Sequence, residues 1–187
     1  MPELPEVETT VKGLKVIKNK KINKITIHTK KLRFAIPTDI KKLTKSKISN
    51  IKRIAKYIII NSDYKYSIII HLGMSGRLKI NHTKTKFTKH DHLIITFDNK
   101  INLVFNDPRK FGFVDIVKTK NLYEKKYILN LGIDALSKDL DHKYLFNKVS
   151  NSIVPIKQIL LNQKIIAGIG NIYASEILYD AKISPMM

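Results

Sequence analysis

Eight short apolar-rich segments crowd the stretch from Lys21 to Val117, and they constrain the fold more than any other feature of the chain. They run Lys21–Thr29, Ile48–Ile54, Tyr57–Asn61, Tyr66–Leu72, Arg77–Ile80, His92–Phe97, Ile101–Phe105 and Phe113–Val117. Each is short and rich in Ile, Val, Phe or Tyr, which suits a pleated, half-buried surface. Turn signals separate them: Asn61-Ser62-Asp63, Gly73 with Gly76, Asp98-Asn99, and Asp107-Pro108. Many short strands with polar connections predict an antiparallel sandwich or barrel-like domain.

A helix precedes the strands. Leu4, Val7, Val11 and Leu14 recur at three- and four-residue spacing. Beyond Thr119 the pattern turns helical again, over Tyr123–Leu131, Lys138–Val149 and Pro155–Leu161. The turn Ala167-Gly168-Ile169-Gly170 then opens a last helix to about Ala181, with Asn171 expected as its cap and Ser184-Pro185 as its stop. The fold class is therefore α+β. A β-sandwich domain with an N-terminal helix is placed near residues 1–120 and a helical domain over 130–187.

Thirty-five Lys and Arg against fifteen Asp and Glu give a net charge of +20 in 187 residues. Such an excess favours a polyanionic partner through phosphate contacts and counterion release. Only four of the cations are Arg: Arg33, Arg53, Arg77 and Arg109. No apolar run reaches the ~18 residues that a membrane span requires, and the acidic N-terminus lacks a secretory layout. A soluble intracellular protein is expected. With no Cys, disulfides and thiolate zinc sites are excluded within this chain.

The first residues, MPELPEVETT, carry the sharpest chemical possibility. If Met1 is removed, Pro2 presents a secondary amine that can attack an electrophilic carbon and form an iminium adduct. The amine must be unprotonated to attack, and an α-amino group titrates near pH ~8. Pro2 followed by Glu3, Glu6 and Glu8 is equally an ordinary helix opening. Lys56, in RIAKY between two apolar strands, is costly to bury unless paired or used.

Two glycine-bearing loops point to nucleic acid. HLGMSGRL places Met74 at a tip, where an exposed apolar side chain suits a wedge between base pairs; a hairpin with Met74 folded back is the plain alternative. NDPRKFG sets Arg109 beside Phe111. An aromatic ring can fill a gap in a base stack, and a guanidinium can donate to an orphaned base edge. In KHDH, His90 reads as a polar or phosphate contact and His92 as structural, while a metal site is weakly supported. Gly168-Ile169-Gly170-Asn171 opens a helix whose amides suit phosphate, and Lys157 is a second candidate contact. No Lys-Ser or Lys-Thr pair follows it, so it is not a nucleotide P-loop.

Taken together, PELPEVET, RIAKYIII, HLGMSGRL, KHDH, NDPRKFG and IKQILLNQKIIAGIGNIYASEIL resemble formamidopyrimidine-DNA glycosylase in order and spacing, from Met1 to about Pro185. The resemblance implies a bifunctional glycosylase and abasic-site lyase of base excision repair. Its substrate would be double-stranded DNA carrying oxidised purines or abasic sites. It would act as a monomer in the bacterial cytoplasm, associated with the nucleoid.

By that resemblance Pro2 is the nucleophile at the deoxyribose C1′, Glu3 the acid/base, and Lys56 the phosphate contact and proton donor, with Glu6 ordering the terminus. Met74, Arg109 and Phe111 fill the void left by the everted nucleotide, and His90, Lys157 and Asn171 contact the DNA backbone. Family members continue into the rest of a helix–two-turn–helix domain, a lesion-capping loop and a four-Cys zinc finger. The expectation is thus a C-terminally truncated member, its helical domain incomplete and its zinc finger absent. It would hold no metal or other cofactor, where full-length relatives bind one Zn. A non-catalytic DNA-binding remnant, a decayed gene product and an endonuclease VIII-like glycosylase are the alternatives.

Overall fold

The structure, a computed structural model, describes residues 2–82, 86–98, 100–150 and 152–186. Met1, and with it the question of its removal, lies outside them, as does Asn99 of the expected Asp98-Asn99 turn. The chain divides into two compact units, Met1–Leu122 and Tyr123–Met187.

The first unit opens with α1 (Leu4–Gly13) and continues through β1 (Ile22–Ile27), β2 (Ile48–Ile54), β3 (Tyr57–Ser62), β4 (Tyr66–His71), β5 (Arg77–His82), β6 (Asp91–Phe97), β7 (Ile101–Asn106) and β8 (Phe113–Lys118). Two antiparallel four-stranded sheets form, in the orders β1-β6-β7-β5 and β2-β3-β4-β8. Alternate residues of both sheets meet in one core: Ile58, Ile60, Ile68 and Ile70 from one, Leu93, Ile95, Phe97, Leu103 and Phe105 from the other. That is the packing of a sandwich. Val7, Val11 and Leu14 bring the apolar stripe of α1 and its extension into the same core.

β1 and β2 bury residues three apart rather than two. Ile22 and Ile25 of β1 are three apart and both buried, as are Ile48 and Ile51 of β2. A register shift lies between Ile22 and Lys24, and another between Ile48 and Asn50. Each bulge inserts one residue and resets which face the following side chains occupy.

The second unit contains α2 (Lys126–Leu129), β9 (Ile133–Asp134), α3 (His142–Val149), α4 (Ile156–Leu161), β10 (Ile166–Ala167) and α5 (Asn171–Asp180). β9 and β10 pair in parallel. Leu160, Ile166, Ile169, Ala174 and Leu178 form its buried cluster. α3 starts later than the expected Lys138, because Asp141 caps it by accepting the Tyr144 N–H at 2.7 Å. The expected helix over Tyr123–Leu131 reduces to the four residues of α2, preceded by a 3₁₀ turn over Thr119–Glu124. Among the described residues no helix is long and apolar enough to cross a membrane.

Candidate active site and nucleic-acid interface

The first unit gathers most of the candidate residues at one rim of the sandwich. Across β3, β4 and β8 the pairs Tyr57–His71 and His71–Phe113 lie in register, so the ends of these strands form a row. The two-residue connection Ala55-Lys56 sits at that end, between β2 and β3. Ala55 adopts φ +49°, a left-handed conformation that costs an L-residue roughly 1–2 kcal/mol. Arg53 braces this turn. Its Nη1 donates to the Ala55 carbonyl at 3.0 Å, and its Nε donates to Glu8 Oε2 of α1 at 3.0 Å. The turn carrying Lys56 and the helix following Pro2 are thereby tied together.

Glu3 occupies the N-cap of α1, and its N–H donates to Glu6 Oε2 at 3.0 Å, the reach-back bond of a capping box. Pro2 directly precedes this capped start and is half-buried. Glu3 is 1% exposed and Lys56 is 6% exposed. Burial pulls the Lys56 ammonium below the ordinary lysine range, and the Glu3 carboxylate partly offsets this. The carboxylate and the ammonium therefore share one electrostatic environment.

The connections β4–β5 and β7–β8 cross the same rim, each joining one sheet to the other. Met74, Arg109 and Phe111 stand on them as exposed tips; Met74 is 43% and Phe111 46% exposed, so Met74 does not fold back on the sheet. The Arg109 guanidinium lies over the Phe111 ring, 4.9 Å from its centroid. An exposed methionine and a stacked Arg–Phe pair thus flank the end of the sheet that bears Lys56.

Residues 1–114 match the formamidopyrimidine-DNA glycosylase N-terminal domain, and residues 131–187 match the formamidopyrimidine-DNA glycosylase H2TH domain. The chain is 47% identical over 187 residues to the formamidopyrimidine-DNA glycosylase of Zymomonas mobilis, covering 99% of this chain and 68% of that protein. It belongs to the formamidopyrimidine-DNA glycosylase family. A Wolbachia pipientis glycosylase is 46% identical, with 100% of this chain and 69% of the relative covered. Among solved structures, the Lactococcus lactis enzyme in complex with abasic-site DNA superposes with a TM-score of 0.91 at 34% identity. That match covers 99% of this chain and 69% of the other. The Lactococcus lactis enzyme with DNA containing N7-benzyl-Fapy-dG gives the same TM-score and identity over 99% and 69%.

Within this formamidopyrimidine-DNA glycosylase fold, three candidates remain, one in the first unit and two in the second. His90 is half-buried at the rim, its carbonyl accepting the Asp107 N–H at 3.0 Å. Lys157 on α4 donates to Ser175 Oγ of α5 at 2.9 Å. Asn171 does not cap α5: Gly170 is the N-cap, and Asn171 is the first helical residue with an exposed side chain. The Gly170 backbone is extended at φ −126°, and the preceding turn is held by Gln163, which accepts from the Gly168 N–H and donates to the Ile169 carbonyl. Lys157 and Asn171 belong to the second unit and the rim residues to the first.

The KHDH cluster is structural in its second half. His92 is fully buried; its Nε2 donates to the Asp107 carbonyl at 2.8 Å and its Nδ1 accepts from the Thr29 hydroxyl at 2.8 Å. Asp91 spends its carboxylate on Thr88 and Asn106. Among the described residues no group of three His, Asp or Glu is placed to hold a metal ion. With no Cys in the chain, the residues present do not fit the zinc that the resemblance attaches to full-length relatives.

His71 is a residue that sequence reading passed over. It stacks on Phe113 with centroids 5.6 Å apart, and its Nδ1 accepts the Gly73 N–H at 3.0 Å. Burial, with the charges of Arg33 and Lys56, lowers its pKa to about 4. Above about pH 6.5 both folded and unfolded chains carry it neutral. Between about 6.5 and 4 the unfolded chain takes up a proton that the folded chain refuses, so stability falls as pH falls. We expect a loss on the order of 3 kcal/mol at most by pH 4 from this group. His71→Gln, which retains an acceptor for Gly73, will remove that part of the acid sensitivity. Chemical denaturation at pH 7 and pH 4.5 checks it; equal pH dependence in both proteins would contradict it.

Proposed function

We propose that this chain is a DNA glycosylase and abasic-site lyase of base excision repair, acting on double-stranded DNA that carries oxidised purines or abasic sites. The observation that supports it most is the convergence at one rim of the Pro2-bearing helix start, the buried Glu3 and Lys56, and the exposed tips Met74, Arg109 and Phe111.

Each group has a task that its surroundings suit. Eversion of the damaged nucleotide costs a few kcal/mol of unstacking. Met74 and Phe111 offset it by filling the stack, and Arg109 donates to the base left behind. The Pro2 nitrogen attacks C1′, the bond from C1′ to the base breaks, and the base leaves with the proton that the adduct nitrogen gives up. Glu3 then protonates O4′ as the nitrogen lone pair breaks the C1′–O4′ bond. The sugar ring opens, and an iminium is left between Pro2 and C1′. That cation acidifies C2′. Loss of the C2′ proton is followed by rupture of the C3′–O bond and release of the 3′ phosphate, which Lys56 contacts as proton donor. His90 grips backbone phosphate from the first unit. Lys157, Asn171 and the amides at the start of α5 do so from the second.

The protein works as a monomer in the bacterial cytoplasm, in company with nucleoid DNA to which its charge of +20 directs it. Its chemistry is written with an amine, a carboxylate and an ammonium of its own chain. The test is incision of a duplex containing one 8-oxoguanine, run beside an identical undamaged duplex at low salt. Cleavage confined to the damaged duplex supports the proposal, and equal, salt-sensitive binding of both without cleavage supports a binding remnant instead.

A further inference from the structure

We propose that Ser75 and Asp107 lock the two rim loops into one preformed wedge, so that Met74, Arg109 and Phe111 enter DNA as a single body. The proposal rests on the reading of those three residues as void fillers. The loops lie side by side for a topological reason. In one sheet His71 pairs with Phe113, and in the other Arg77 pairs with Asn106. The chain therefore crosses the rim in one direction through residues 72–76 and returns beside itself through residues 107–112.

Asp107 is fully buried between them, and its carboxylate is shared. Oδ1 accepts from the Ser75 hydroxyl at 2.5 Å, and Oδ2 accepts from the Gly112 N–H at 2.8 Å. Ser75 returns the connection, since its Oγ also accepts the Arg109 N–H at 3.1 Å. The Asp107 backbone is fixed too, by the His90 carbonyl and the His92 ring. The loop backbones also touch. A Cβ on Gly73 would fall 2.4 Å from both Phe111 C and Gly112 N, and Gly73 holds φ +62°. Each tip residue is thus exposed while the peptide beneath it is clamped.

This arrangement has a consequence for insertion. Loops ordered only on contact would bear that entropic cost at the moment of eversion. A wedge ordered beforehand does not. Asp107 and Ser75 act through the loops and not on sugar or base, so they are positioning residues. The carboxylate is required because two donors on opposite loops need two acceptor oxygens. An asparagine offers one oxygen and turns an NH₂ toward the other donor.

The experiment compares wild type with Ser75→Ala and Asp107→Asn. Amide exchange is followed at Gly112, which donates to Asp107, and at Gly76, which donates to the Leu72 carbonyl. Ser75→Ala is expected to raise exchange at Gly112, on the other loop, about tenfold, the order of one buried hydrogen bond. Asp107→Asn should do the same at Gly76, with β3 and β4 unchanged in both. A change confined to the substituted loop overturns the proposal. If Asp107→Asn fails to fold, the half-buried Ser75 position carries the test alone.

A second readout is borohydride trapping on an abasic site in a duplex and in a single strand. Ser75→Ala should lower duplex trapping about tenfold more than single-strand trapping, because only the duplex has a stack to fill. Equal losses overturn the proposal. Wild-type protein that traps neither DNA defeats the lyase reading, and amide exchange then still decides the wedge.

Discussion

Leaving Met1 in place will abolish borohydride trapping of abasic-site DNA, with a loss of at least about 10³-fold, the scale on which removal of a nucleophile is felt. The retained residue converts the Pro2 nitrogen into an amide, whose lone pair is delocalised and cannot attack C1′. Pro2→Gly is a milder change, because a primary amine survives. It gives up the pyrrolidine ring, which fixes the direction of the nitrogen lone pair next to the capped start of α1, where the Glu3 N–H donates to Glu6 at 3.0 Å. A nitrogen displaced by about 1 Å costs on the order of 10²-fold. Gel quantitation of the trapped complex, with intact mass establishing the N-terminus, measures both. Undiminished trapping by the Met1-retaining protein would assign the chemistry to another amine.

Glu3→Gln is the second large effect. A positioned acid/base contributes about 10²–10⁴-fold, and we expect ring opening, read as the borohydride-trapped iminium on an 8-oxoguanine duplex, to fall by that factor. Glutamine has nearly the shape of glutamate and keeps an acceptor oxygen at this buried N-cap, so the melting temperature should stay close to that of wild type. The substitution has an electrostatic partner. The Glu3 carboxylate holds the Lys56 pKa up against burial. Its removal will push Lys56 further down and move the alkaline side of the lyase pH profile to lower pH. A variant with normal trapping, or with a collapsed melting transition, would contradict the role.

The strands were legible because each repeats apolar residues between turn-forming residues, and all eight exist. Their phase was less legible. Ile22 and Ile25 look like an imperfect alternation, and only the bulge between Ile22 and Lys24 explains why both face the core. Helix ends depended on single capping bonds. Asn171 is a good capping residue by type, yet Gly170 takes the cap and Asn171 points outward.

At the site, the loop tips Met74, Arg109 and Phe111 could be named from their motifs, since a Gly-rich turn with an exposed apolar or cationic residue has a local signature. Asp107, His71 and Arg53 could not. Asp107 reads locally as half of an Asp-Pro turn, but its carboxylate binds Ser75, thirty-two residues away. Arg53 reads as one more cation in a basic chain, but it joins Glu8 to the Ala55 turn. Long-range partners leave no periodicity to read.

The lyase chemistry depends on which nitrogen meets the sugar. Trapping wild-type protein on abasic-site DNA, digesting the reduced complex with trypsin and sequencing the modified peptide by mass spectrometry locates it. Attack by the N-terminal amine leaves the deoxyribose remnant on the peptide that begins at Pro2 and ends at Lys12, attached to its N-terminal nitrogen. A remnant on Lys56, or on any other lysine, with the Pro2 peptide unmodified would contradict it.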